Sequence, residues 1–268
     1  GGSAHVYAVT FGLLCLMLQV FLPYQTYVRW LKWLTLALLA YVAVAFSLHL
    51  DWWQVARAIV HPKLPGGHEV LLVVVAVFGT TISPYLFFWQ SSQEVEEIGQ
   101  HAEEYPLRHA PSQAKAQFYR IRIDTFAGMA VSNLIAIAII IATAATLHAS
   151  GQGAIETAAD AAQALRPAAG DFAFALFSLG IIGTGLLAVP VLAGSAAYAV
   201  GESRGWKTGL ENKPWEARGF YAIIGLATLA GLAINYLGID PIKALVWSAI
   251  VNGVIAVPIM AAMMVVVA

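Results

Sequence analysis

Residues 70–97 read VLLVVVAVFGTTISPYLFFWQSSQEVEE, an apolar run interrupted near its middle by glycine, two threonines, serine and proline. A helix that crosses the hydrocarbon core of a bilayer needs about 20 mostly apolar residues, and Val70 to Gln90 supplies that length. Pro84 has no N–H, and its ring clashes with the carbonyl four residues back, that of Thr80. Within lipid such freed backbone is tolerated only where it faces protein or a water-filled cavity. Broken helices with free carbonyls at the membrane midplane are one way in which proteins bind ions there. A proline kink whose Ser and Thr hydroxyls bond back to carbonyls is the other reading, and it needs no ligand. The residue chemistry of this stretch leaves both open.

The same apolar character extends outward from this run. Of the 268 residues, 60% are apolar and 11% charged, and the mean hydropathy is +0.74, far above what a soluble domain of this size needs. Seven stretches are candidate spans: Val6–Leu22, Trp33–Leu50, Val70–Gln90, Phe126–Leu147, Phe172–Val200, Phe220–Leu237 and Ala244–Val267. They predict an all-α, polytopic helical membrane protein with a single transmembrane domain over residues 1–268. The loops after the first, third and fifth spans hold ten of the fourteen Lys and Arg residues. Because cytoplasmic loops carry the basic excess, the tail before the first span is predicted outside, and the third span runs inward.

A net charge of −1 and a pI near 6.7, without a concentrated basic stretch, argue against nucleic acid or an anionic surface as the main partner. The lone Cys15 can form neither an internal disulfide nor a CxxC metal site, and reads as a packing residue. The chain starts at Gly1 without the features of a signal peptide, and is read as incomplete at its N-terminus. Residues 91–125 suit an amphipathic cytoplasmic connector, and residues 148–171 an outer loop with a short helix. Trp52, Trp53, Trp206 and Trp215 lie near predicted span ends and read as interfacial anchors.

The stretch GTTISPYLFFWQS, residues 79–91, resembles the sixth-helix motif of Nramp-type transporters, approximately G-A-T-V-M-P-H-N-L-Y-L-H-S, with Gly79, Thr81, Pro84 and Ser91 in register. The late segment WSAIVNGVIAVP, residues 247–258, resembles the family's tenth helix, so the whole chain corresponds to helices four to ten. The resemblance implies part of a LeuT-type inverted-repeat fold in a multi-pass protein of a bacterial inner (plasma) membrane. It also implies transport of a divalent metal ion by alternating access. The Thr80 carbonyl would stand where a backbone oxygen coordinates the ion, Ser83 would replace the metal-binding methionine, and Asn252 could face the site from the last span.

A thioether is soft and favours transition metals, whereas a hydroxyl is a hard oxygen that suits Mg²⁺ or Mn²⁺. Tyr85 and Gln90 stand where the family has histidines near its proton path, and neither side chain titrates near neutral pH. These departures fit a branch of Nramp-related magnesium transporters with weak or absent proton coupling. A proton-coupled Mn²⁺ or Fe²⁺ carrier is the alternative. The family's Asp-Pro-Gly motif, which supplies its anionic ligand, has no counterpart in the sequence. Missing N-terminal helices of the same protein are therefore expected partners, beside the bilayer and the metal ion as substrate, and no cofactor is called for.

Other polar residues carry alternatives. Asn252 and Ser248 lie one turn apart and equally suit an interhelical hydrogen bond. Glu94 and Glu97 share a helical face and could draw cations, although a solvated charge run is the default. Asp124 is expected to pair with Arg120 or Arg122 at the membrane edge, and His101 and His109 match no ligand spacing. Gly180, Gly183, Gly185 and Gly194 would allow close packing of the fifth span, and Pro190 would hinge it. An intramembrane enzyme would need a nucleophile with a base inside the spans, and no such motif occurs.

Overall fold

The computed structural model describes residues 4–21, 33, 36–48, 50–61, 67–100, 105–148, 161–162, 166, 170–234 and 236–267, and the described residues are mostly helical, with turns between the helices and no strand. In chain order the helices are α1 (Ala4–Phe21), α2 (Leu39–Ser47), α3 (Trp52–Val60), α4 (His68–Thr81) and α5 (Pro84–Gln100). They continue with α6 (Ala114–Thr143), α7 (Phe172–Ser203), α8 (Arg218–Ile234) and α9 (Pro241–Val267). Among the described residues, four stretches are long and apolar enough to cross a membrane, Val70–Ile98, Pro111–Thr146, Phe177–Ser203 and Pro241–Val266, while Val6–Phe21 and Arg218–Ile234 are shorter apolar helices. Helices dominate because a backbone in lipid has no water to bond and must satisfy its N–H and C=O groups internally.

Local chemistry sets several ends. Asp51 caps α3 by accepting from the N–H groups of Trp53 and Gln54 at 3.0 and 3.3 Å. Asp240 does the same for α9, through Ile242 and Lys243 at 2.8 and 3.3 Å, with Pro241 at the first helical position. After α7 the chain turns at Gly205, whose φ of +65° suits glycine, and the Trp206 N–H returns to the Gly201 carbonyl at 2.8 Å.

The elements differ from the sequence expectations in three places. The fourth predicted span starts at Phe126, but α6 is already helical at Ala114, so a polar stretch outside the apolar run continues the same helix. Between the second and third predicted spans lies α3, a nine-residue helix with exposed Trp52 and Trp53 and with Arg57 over the Trp53 ring at 5.5 Å. In the second predicted span, α2 follows a 3₁₀ turn at Leu36–Leu38 and ends at Ser47, while residues 34, 35 and 49 lie outside the described residues. Most of the expected loop at 148–171 also lies outside them.

Two compact units alternate along the chain. One comprises Gly1–Tyr27, Pro62–Glu94 and Ala188–Ala268, and the other Val28–His61 and Val95–Leu187. In the first, a buried cluster of Trp89, Ala197, Tyr198, Phe220 and Ile224 joins α5, α7 and α8. Its rings meet edge to face, Trp89 with Tyr198 at 5.9 Å and Tyr198 with Phe220 at 4.8 Å. In the second, Tyr41, Val44 and Ala45 of α2 pack with Ala138 and Ala142 of α6 and with Phe177, whose ring meets Tyr41 at 6.2 Å.

Candidate metal site

The interrupted helix of the first unit holds two of the expected site residues, Thr80 and Ser83. α4 ends at Thr81, Ile82 is non-helical with φ −108° and ψ 81°, and α5 begins at Pro84. The Ile82 N–H still reaches the Phe78 carbonyl at 2.7 Å, and the ladder then stops, since Pro84 cannot donate to Thr80. Ser83 fills part of the gap. Its hydroxyl lies 3.2 Å from the Gly79 carbonyl and 3.3 Å from the Thr80 carbonyl, in donor geometry to both. Thr80 and Thr81 turn their hydroxyls back to the Val77 carbonyl at 2.8 and 3.0 Å, and so take no part in the gap.

Ser83 and Pro84 are buried, whereas the Thr80 side chain is exposed. The structure thus brings together two of the expected ligand oxygens, the Thr80 carbonyl and the Ser83 hydroxyl. A hydroxyl that donates its single proton keeps its lone pairs, and a carbonyl can accept twice. Neighbouring ligands of an octahedral Mg²⁺, with bonds of about 2.1 Å, stand about 3.0 Å apart, and those of a larger cation with bonds of about 2.4 Å stand about 3.4 Å apart. The observed 3.3 Å lies within that range.

α9 meets the interrupted helix backbone to backbone. A methyl group at Gly79 would run into the Ala249 carbonyl, and one at Gly253 would lie 2.6 Å from the Val75 carbonyl. Ala249 and Gly253, four residues apart, form a small-residue face that permits this approach. Asn252 lies on the same turn of α9, half-buried, with no side-chain hydrogen bond to a described residue. Ser248, one turn earlier, is exposed.

α5 is fastened at its far end. Ser92 donates to Glu202 of α7 at 2.7 Å, and Gln93 donates to the Tyr198 hydroxyl at 3.1 Å. That hydroxyl also accepts from the Leu210 N–H at 3.3 Å. Tyr221 donates to the Asn212 carbonyl at 2.8 Å, and Lys207 pairs with Glu216 at 2.9 Å, which tie down the connection between α7 and α8. Hydrogen bonding and charge from Lys207 hold the Glu216 carboxyl below its ordinary range. Deeper in the unit, buried Gln19 donates to the Pro190 carbonyl at 3.0 Å, and the Trp89 ring lies against Gly194 where a methyl would clash.

Several polar residues stand apart from the break. Glu97 forms an ion pair with Arg120 at 3.1 Å. The expected pairing of Asp124 is therefore corrected: Arg120 turns to Glu97 and Gln117, and Arg122 lies over the Phe126 ring at 5.7 Å. An Arg placed N-terminal to an acid at i,i+4 is the weaker order on a helix. His101 lies outside the described residues, and among those described no three His, Cys, Asp or Glu gather as a metal cluster. The exposed Trp206 and Trp215 each carry a cation over the ring, Arg204 and Lys213, both at 5.5 Å.

A helical membrane protein with an oxygen-bearing break in a spanning helix is a class that includes ion carriers. The chain belongs to the Nramp family: the profile described as natural resistance-associated macrophage protein-like matches residues 1–268. The fold is all-α and part of that family's LeuT-type membrane architecture. Among its relatives is a divalent metal cation transporter MntH of Acidiphilium cryptum, 26% identical over 255 residues, covering 93% of this chain and 53% of that protein. Another protein of the same name, from Caldanaerobacter subterraneus subsp. tengcongensis, is 27% identical over 216 residues, covering 80% of this chain and 46% of its own length. The chain spans about half the length of these curated relatives.

Proposed function

We propose that these helices form part of a carrier that moves a divalent metal ion across a bacterial inner membrane by alternating access, with the ion held at the break between α4 and α5. The observation that carries this reading is the pair of oxygens at the break, the Thr80 carbonyl and the buried Ser83 hydroxyl, 3.3 Å apart. Both are hard ligands, which favours Mg²⁺ or Mn²⁺ over softer ions. Asn252, on the turn of α9 that carries Ala249 and Gly253 against α4, is the third neutral oxygen of this reading. Neutral oxygens alone compensate a dication poorly in low dielectric. The reading therefore includes an anionic ligand from the helices that precede this stretch in the family.

The second reading, a proton-coupled carrier of Mn²⁺ or Fe²⁺, draws on the relatives named as divalent metal cation transporters. Metal entry into proteoliposomes holding the whole carrier, with Mg²⁺ and Mn²⁺ offered separately and lumenal pH followed by a dye, separates the two. Mg²⁺ entry without acidification supports the magnesium carrier, and Mn²⁺ entry with acidification supports its rival. Ser83→Met is expected to raise the preference for Mn²⁺ or Cd²⁺ over Mg²⁺ by about tenfold or more, given the softness of sulfur. Equal selectivity in both proteins would remove Ser83 from the ligand set.

A further inference from the structure

The first turns of α6 present two unlike faces. On one, Gln117 is buried and Arg120 is engaged with Gln117 and Glu97. On the other, Lys115, Tyr119 and Arg122 recur at i, i+4 and i+7, all exposed, with Ser112 just before them in the 3₁₀ turn at Pro111–Gln113. These residues line one shallow depression together with Ala116 and Phe118. No described carboxylate pairs with Lys115 or Arg122. The nearest acid in sequence, Asp124, is two residues beyond Arg122, about 200° around the helix.

We propose that this face binds the headgroup phosphate of an anionic phospholipid. Lys115 and Arg122 are two turns apart, about 10 Å along the axis, which suits one headgroup held between them, with the Tyr119 and Ser112 hydroxyls as further donors. Arg122 lies over the Phe126 ring at 5.7 Å, a cation–π contact that leaves the N–H groups of a guanidinium available to a phosphate. The same stripe then continues into exposed apolar side chains, Phe126 and Met129, along a helix of membrane-spanning length. Cation, aromatic ring and hydrocarbon thus follow one another in the order of a phospholipid's own headgroup, interface and acyl chain. A free anion would use the first of these and gain nothing from the rest.

Native mass spectrometry of the purified chain, released from detergent in an equimolar mixture of phosphatidylglycerol and phosphatidylcholine, tests the site. The wild type is expected to retain phosphatidylglycerol preferentially. Lys115→Gln and Arg122→Gln should each lower that retention about fivefold, and the pair about 30-fold, as expected for basic residues at a charged membrane surface. Because both residues are exposed, the variants keep the fold, which circular dichroism checks. Arg57→Gln with Lys243→Gln removes the same charge elsewhere and should leave retention unchanged. Undiminished retention in the Lys115 and Arg122 variants overturns the proposal, and so does an equal loss in the control pair. Release of the lipid by excess inorganic phosphate would make the face a site for free anions and also overturn it.

Discussion

α4 and α5 flank the same break, yet different forces hold them. α4 is fixed by the absence of side chains: Gly79 and Gly253 let its backbone touch that of α9, so shape alone sets the distance. α5 is fixed by the side chains it carries, with the Trp89 ring in an aromatic cluster and Ser92 and Gln93 bonded to Glu202 and Tyr198. A contact between backbones tolerates almost no added volume, whereas a network of rings and hydroxyls can lose one member and keep its packing. The break at Ile82 and Ser83 lies between these two kinds of anchor, bridged within the chain by the Ser83 hydroxyl.

The sharpest way to break this contrast is Gly79→Val. The new side chain meets the Ala249 carbonyl, which cannot move without moving α9, and a loss of about 3 kcal/mol or more is expected from such overpacking. Unfolding of the purified chain in mixed micelles measures it, and a near-neutral result would show that α4 and α9 do not need this approach. A smaller loss is expected for Tyr198→Phe. The rings still pack, but the buried Leu210 N–H and the Gln93 amide lose their acceptor, at a cost of about 1–3 kcal/mol.

The smallest effect lies in the connection that supplies Leu210. Glu216 is held below its ordinary titration range by Lys207, so its folded carboxyl binds a proton less readily than the unfolded one. Its contribution to stability is complete above the unfolded pKa and is lost as pH falls through the folded one. In Lys207→Gln the Glu216 titration, followed by carboxyl carbon NMR, should move upward. An unmoved titration would detach Lys207 from this carboxyl.

The break itself was legible because proline removes a donor wherever it stands, and Gly79, Thr80, Thr81 and Ser83 around Pro84 announced a run unlike its apolar surroundings. The partner of Gly79 was not. Nothing local in VFGTTIS, residues 77–83, points to Ala249 and Gly253, which only the packing of α9 brings near. α3 was hidden for another reason: nine residues of mixed polarity satisfy no spanning criterion, and the Asp51 cap before Trp52 was the one available signal. The extension of α6 back to Ala114 was missed because an apolar run marks where a helix enters hydrocarbon, and says little about where the helix begins. Asp124 shows the limit of pairing by proximity in sequence, since Arg120 had a better acceptor on another helix in Glu97.

A carrier must also make its return journey unloaded, with the oxygens that held the cargo facing a medium of low polarity. Here the Ser83 hydroxyl lies within donor reach of the Gly79 and Thr80 carbonyls, and on the proposed mechanism its proton would stand where the cation is held. On the proposed mechanism the vacated break is therefore already solvated from within, and turning round empty would not have to wait for a second ion. Methionine at that position has no proton to offer. The identity of one residue would then govern the tempo of the idle stroke as well as the choice of metal.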